Sequence, residues 1–176
     1  MTRAPALVAV AALLALAGAL GWFYASPHAA LARLAEPAEP PERFALLYDR
    51  EALRAGFAAQ TLPEVVDYPP PFTREVLLDA ITAPESVSLL VAEPYGAWQF
   101  AATEGVPDAL LEEAGLAENS PMPRSLERTE SWEIERVGLS GFIARPGDRP
   151  GGHAYRFERD GLRWRLVHIQ LSEPIH

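Results

Sequence analysis

HAYRFERDGLRWRLVHIQL, residues 153–171, alternates apolar and polar side chains on either side of an Asp160-Gly161 pair. Period-two alternation marks a half-buried strand, and Asp-Gly between two such runs is a strong two-residue hairpin signal. Strands are therefore expected from His153 to Glu158 and from Leu162 to Leu171. With Asp160 and Gly161 as the turn, Phe157 faces Trp164 and Tyr155 faces Leu166 on an inner side. Glu158 then faces Arg163, and Arg156 faces Arg165, on the outer side. Beyond Leu166 the apolar residues Val167, Ile169 and Leu171 take the opposite parity. Either a bulge shifts the strand there or its end is buried on both faces. Upstream, Trp132 and Ile134 alternate with Glu133 and Glu135, and Gly138 and Gly141 mark a bend or bulge in the run reaching Ala144.

Everything before this sheet reads as helix. Ser26-Pro27 fits an N-cap with proline at the first helical position, opening a short helix through Leu31 and Leu34. Glu36 to Glu42 carries three prolines and three glutamates and reads as a solvated connector. After the apolar run Phe44 to Tyr48, Asp49 can cap a helix from Arg50 to about Gln60, with Leu53 and Phe57 on one face. Tyr68 to Pro71 must be extended. Further helices are expected over Phe72 to Ile81, from the capping box Thr82-Ala83-Pro84-Glu85 to about Ala92, and over Pro107 to Ala114. The fold class is α+β: short helices over 26–116 packed on an antiparallel sheet of three to four strands over 131–171.

Residues 4–25 form an uncharged apolar stretch of 22 residues. As a helix it would reach about 33 Å, enough for a hydrocarbon core of roughly 30 Å. Trp22, Phe23 and Tyr24 close it, where amphipathic rings form a belt at the headgroup boundary. Arg3 precedes the stretch and no further Arg follows until Arg33, so the positive-inside rule leaves the N-terminus in the cytoplasm and exports the rest. The reading is a tip and transmembrane anchor over 1–25 and one exported domain over 26–176. A cleaved signal peptide is the rival, through the small residues Ala19 and Gly21. Against it stand an apolar core longer than the usual 7–15 residues and the aromatic triplet.

All 15 basic residues are Arg, and neither Lys nor Cys occurs. With the abundant Ala, Pro, Gly and Leu, this resembles the product of a GC-rich bacterial genome. Without Cys there is no disulfide, thiolate nucleophile or Cys-ligated zinc. Without Lys there is no phosphate-loop lysine and no Schiff base. The net charge of −9 opposes nucleic-acid binding and broad adhesion to anionic lipid surfaces.

No catalytic residue, cofactor site or metal site is signalled. His28, His153, His168 and His176 make no i, i+4 pair, although the hairpin register brings His153 opposite His168, where a metal could sit. Gly138-Leu139-Ser140-Gly141 lacks the glycine two places after the serine that a nucleophile elbow needs. Glu112 and Glu113 are adjacent on a helix and point apart. The outer face of the hairpin is locally basic: Arg156 opposite Arg165, with Arg163 and Arg159 nearby. Glu133 and Glu135 could neutralise it structurally; otherwise it is a contact for an anion, a headgroup or an acidic partner. Tyr95, Trp98 and Phe100 either line a pocket between helices and sheet or pack the core.

Four stretches resemble a bacterial family, the domain of unknown function 2939. They are the apolar span running into Ala25-Ser26-Pro27-His28-Ala29-Ala30-Leu31, then Leu46-Leu47-Tyr48-Asp49-Arg50-Glu51-Ala52-Leu53-Arg54, Ile81-Thr82-Ala83-Pro84-Glu85, and Asp160-Gly161-Leu162-Arg163-Trp164-Arg165-Leu166. The proline-rich hinge at Glu36 to Glu42 departs from the family, and the middle section is hard to align with it. The resemblance implies architecture and an envelope location, and no site. The expected function is accordingly a non-catalytic binding domain at the inner membrane. It would contact the bilayer through residues 4–25 and an envelope protein partner, with no nucleic acid. The alternatives are an enzyme with a nuclear-transport-factor-2-like pocket between helices and sheet, or a complex subunit contacting through Ala11, Ala15 and Ala19 of the span.

Overall fold

A computed structural model describes residues 3–35, 41–60, 73–92, 131–148 and 151–171. The helix expected over Pro107 to Ala114, and Tyr95, Trp98 and Phe100 with their expected pocket or core role, lie outside them. Among the described residues five helices, α1 (Arg3–Ala35), α2 (Pro41–Phe44), α3 (Arg50–Ala59), α4 (Arg74–Ile81) and α5 (Pro84–Ala92), precede four strands. These are β1 (Trp132–Val137), β2 (Gly141–Pro146), β3 (Ala154–Asp160) and β4 (Arg163–Gln170). They form an antiparallel sheet in sequential order β1-β2-β3-β4. The fold is α+β.

Local signals set most boundaries. Asp49 caps α3 by accepting from the Ala52 amide at 3.0 Å, and Leu53 and Phe57 are the residues α3 buries. Thr73 caps α4 through the Val76 amide. Thr82, expected to cap α5, instead ends α4: its buried hydroxyl donates to the Leu78 carbonyl at 2.7 Å. The proton a capping box would leave free is committed to the preceding helix.

The hairpin exists with a shifted register. Phe157 pairs with Leu166, Glu158 with Arg165 and Asp160 with Arg163, so the two-residue loop is Gly161-Leu162 and not Asp160-Gly161. Gly161 takes φ +62°, the left-handed conformation open to glycine. The shift is two residues, so side-chain parity survives and the same faces are buried. Between Arg156 and Phe157 the register slips again, and Val167 is the extra residue on β4. This bulge returns Ile169 to the inner face opposite Tyr155. The bend expected between Gly138 and Gly141 is a full hairpin: Val137 pairs with Gly141, and Gly138 has φ +68°.

The inner face of the sheet, with Phe142, Ala144, Tyr155, Phe157, Trp164, Leu166 and Ile169, is buried. The helices supply Leu31, Leu34, Leu53, Phe57, Leu77, Ile81 and Leu90 against it. The ring of Phe142 stacks on Phe157 at 4.5 Å and meets the edge of Trp164 at 4.9 Å. The free edge of β4 is closed by chain: Asp49 donates to the Leu166 carbonyl and Leu166 donates back to Leu47. Further along, the Gln60 amide donates to Ile169 and accepts from Leu171. Both pairings satisfy strand groups that would otherwise recruit another chain.

Buried Tyr48 donates its hydroxyl to the Thr82 carbonyl at 2.9 Å. Burial pushes its pKa above the usual value near 10, opposed by Arg50 and reinforced by Glu85. The folded state therefore holds this proton more tightly than the unfolded chain. The contribution is complete below about pH 10 and declines as pH rises through the higher folded value. Thermal melts in detergent micelles should fall above about pH 10. Tyr48→Phe should flatten that alkaline limb and cost about 1 kcal/mol at neutral pH.

Candidate functional site

Helix α1 is the element that makes a site. Ser26-Pro27 does not start a new helix: 33 residues run unbroken from Arg3 to Ala35, with Pro27 inside. An interior proline removes one backbone donor and costs about 3 kcal/mol. Here the carbonyl it deprives is that of Phe23, four residues back. The Ser26 hydroxyl turns to that carbonyl at 3.5 Å and accepts from Trp164 Nε1 at 3.0 Å. Ser26, Pro27, Leu31 and Leu34 are buried in the domain, while Leu7 through Leu20 stand exposed on all sides. One helix thus supplies a bare apolar rod and a piece of the core. Among the described residues it is the one helix long and apolar enough to cross a membrane.

The sheet meets this helix close to its two hairpin tips. The tips at Gly138–Ser140 and Gly161-Leu162 lie side by side, joined by the Arg159 amide donating to the Ser140 carbonyl at 2.8 Å. Their leucines, Leu139 and Leu162, are 78% and 82% exposed. Two residues behind each tip the chain touches α1. The Arg136 guanidinium lies 3.9 Å over the Phe23 ring, and Trp164 bonds Ser26. The tips are therefore tied to α1 around Phe23 and Ser26, where the apolar stretch of the helix ends.

A cleft of about 390 Å³ opens beside this junction. Trp22, Leu34, Leu46, Phe157, Leu162 and Trp164 give it apolar walls, and its cations are Arg33, Arg43 and Arg163. All three arginines are exposed. Among the described residues none of the three has an acidic partner, and no carboxylate lines the cleft. Arg136 and Arg159 share the inner-face parity of their strands, Arg159 lying 4.6 Å from the Trp164 ring. Four of their guanidinium nitrogens are buried against these rings without a hydrogen bond. Burial, helped by the Arg159 charge, lowers the Arg136 pKa. The aromatic faces are the stabilising contacts of this pair.

The basic patch read from the hairpin is divided by the new register. Arg156 pairs across the sheet with His168, not Arg165, and its guanidinium binds Glu158 at 2.9 Å. Arg165 lies opposite Glu158, donates to the Tyr48 carbonyl, and has Asp160 and Asp49 at 3.6 and 4.0 Å. Glu135, foreseen as a neutraliser of these, pairs with Arg145 instead. Of the four hairpin arginines singled out from sequence, Arg163 alone lines the cleft. His153 and His168 do not face each other: the bulge places Arg156 opposite His168, and His153 is fully buried beside Tyr155. Arg33 and Arg43 were not foreseen, because nothing in their local sequence shows that α1, α2 and the turn after α2 meet the hairpin.

Compared with protein-family models, curated proteins and solved structures, the chain has no match in any of the three.

Proposed function

We propose that the chain is a single-pass protein of a bacterial inner membrane, N-terminus cytoplasmic, that holds a non-catalytic binding domain against the periplasmic face of the bilayer. The observation that carries this is the continuity of α1 from its exposed apolar half into the buried core. A cleavable leader is dispensable to the fold that follows it. Here Phe23 covers Arg136 and Ser26 holds Trp164. A cut near Ala19 or Gly21 would leave both contacts on a frayed helix start. The exposed tip leucines and the aromatic belt then meet the bilayer at one level. The ionisable groups in the cleft are arginines, which bind anions but do not exchange protons near neutral pH. Membership of the family of domain of unknown function 2939 is part of the same proposal, on the four stretches quoted above.

Topology is tested by fusing alkaline phosphatase or a fluorescent protein after His176 and by weighing the chain extracted from membranes. Active phosphatase, a dark fluorescent fusion and a mass that includes residues 4–25 are the expected results. Activity confined to cytosolic reporters, or a mature chain that starts past Tyr24, overturns the assignment.

A further inference from the structure

We infer that the cleft between α1, the 43–47 turn and the tip of the β3–β4 hairpin takes the phosphate headgroup of an anionic phospholipid from the adjoining leaflet. The inference rests on the membrane-anchored reading for the source of the ligand and on the cleft itself for the chemistry. Three guanidiniums, with no acidic partner among the described residues, line one opening. Guanidinium forks are shaped for bidentate contact with phosphate oxygens. The remaining walls are apolar and include Trp22, which belongs to the belt, and Leu162, which projects from the hairpin tip. A soluble anion would gain nothing from these walls, whereas the first methylenes of an acyl chain would be covered by them. At about 390 Å³ the space is at the small end of ligand sites, enough for a headgroup while the tails stay in the bilayer. The net charge of −9 repels the domain from an anionic surface as a whole. Attraction confined to Arg33, Arg43 and Arg163 therefore selects a single headgroup and does not spread the domain over the membrane.

Native mass spectrometry of the full chain tests this, with release from mild detergent holding phosphatidylglycerol or phosphatidylcholine at equal mole fraction. One phosphatidylglycerol per chain should be retained, at least tenfold more than phosphatidylcholine. The triple variant Arg33→Gln, Arg43→Gln, Arg163→Gln should lose that tenfold preference, and Arg74→Gln on α4 should keep it. Arg163→Glu alone, at an exposed tip where folding is not at stake, should also lower retention. Equal retention of the two lipids, or undiminished retention by Arg163→Glu, overturns the inference. Displacement of the lipid by millimolar inorganic phosphate would assign the cleft to a free anion and overturn the lipid source. The same spectra weigh the chain: a mass starting past Tyr24 with the lipid still held would refute the anchor and leave the headgroup site standing.

Discussion

Trp164→Ala should destabilise the domain by about 3–5 kcal/mol, the range for removing a buried large aromatic side chain. The indole is 8% exposed and does three jobs at once. It packs edge-on to Phe142, lies under the Arg159 guanidinium, and donates to the Ser26 hydroxyl beside Pro27. Its loss opens a cavity and also frees α1 at the turn where the helix lacks a backbone bond. Trp164→Phe separates the two effects. It keeps most of the packing but leaves Ser26 without its donor, and should cost about 1 kcal/mol for the hydrogen bond. Thermal or denaturant unfolding in micelles reads both. Equal losses for Phe and Ala would show that packing contributes little and that the Ser26 bond dominates.

Phe157→Ala is expected to rank beside it, again at about 3–5 kcal/mol. Phe157 is 1% exposed, stacks on Phe142 with ring planes 8° apart, and pairs with Leu166 across the hairpin. A double-mutant cycle with Phe142→Ala isolates the ring–ring term, expected at about 0.5–1.5 kcal/mol. Strict additivity of the two substitutions would show that the stacked pair is no more than two separate apolar burials. Because Phe157 also walls the cleft, the variant should weaken lipid retention even where it stays folded.

These two residues also show how far the sequence could be read. Parity along β3 and β4 was legible, since it depends only on period two, and so was the Asp49 cap; the bulge after Leu166 was one of two readings the parity change allowed. Register was not. Asp160-Gly161-Leu162 supplies a glycine that can occupy either central position of a two-residue turn, and both choices bury the same faces. Tertiary contacts decide between them. With Gly161 first, Trp164 stands opposite Arg159 instead of Phe157, one pair nearer the tip, where it can reach Ser26. Pro27 misled for a related reason. Proline after serine is a common helix start, and only the indole and the buried face of α1 make a continuous helix the better solution. The site was legible in pieces. Trp22 and Arg163 were both singled out, for the belt and for anion contact, but their meeting with Arg33 and Arg43 is a product of topology. The sequence carries no periodic signal for it.

In the proposed topology α1 enters the bilayer and sets both hairpin tips at its surface. The chain has no Cys, so Leu139→Cys, Leu162→Cys and the exposed α5 reference Ser88→Cys can each carry a single polarity-sensitive fluorophore without background. In full-length protein reconstituted into nanodiscs, the labels at 139 and 162 should emit to the blue of the label at 88 and be quenched by a lipid carrying its quencher at the headgroup. Three labels with the same water-like emission, unquenched by the lipid, would mean the domain stands clear of the membrane and would contradict the account.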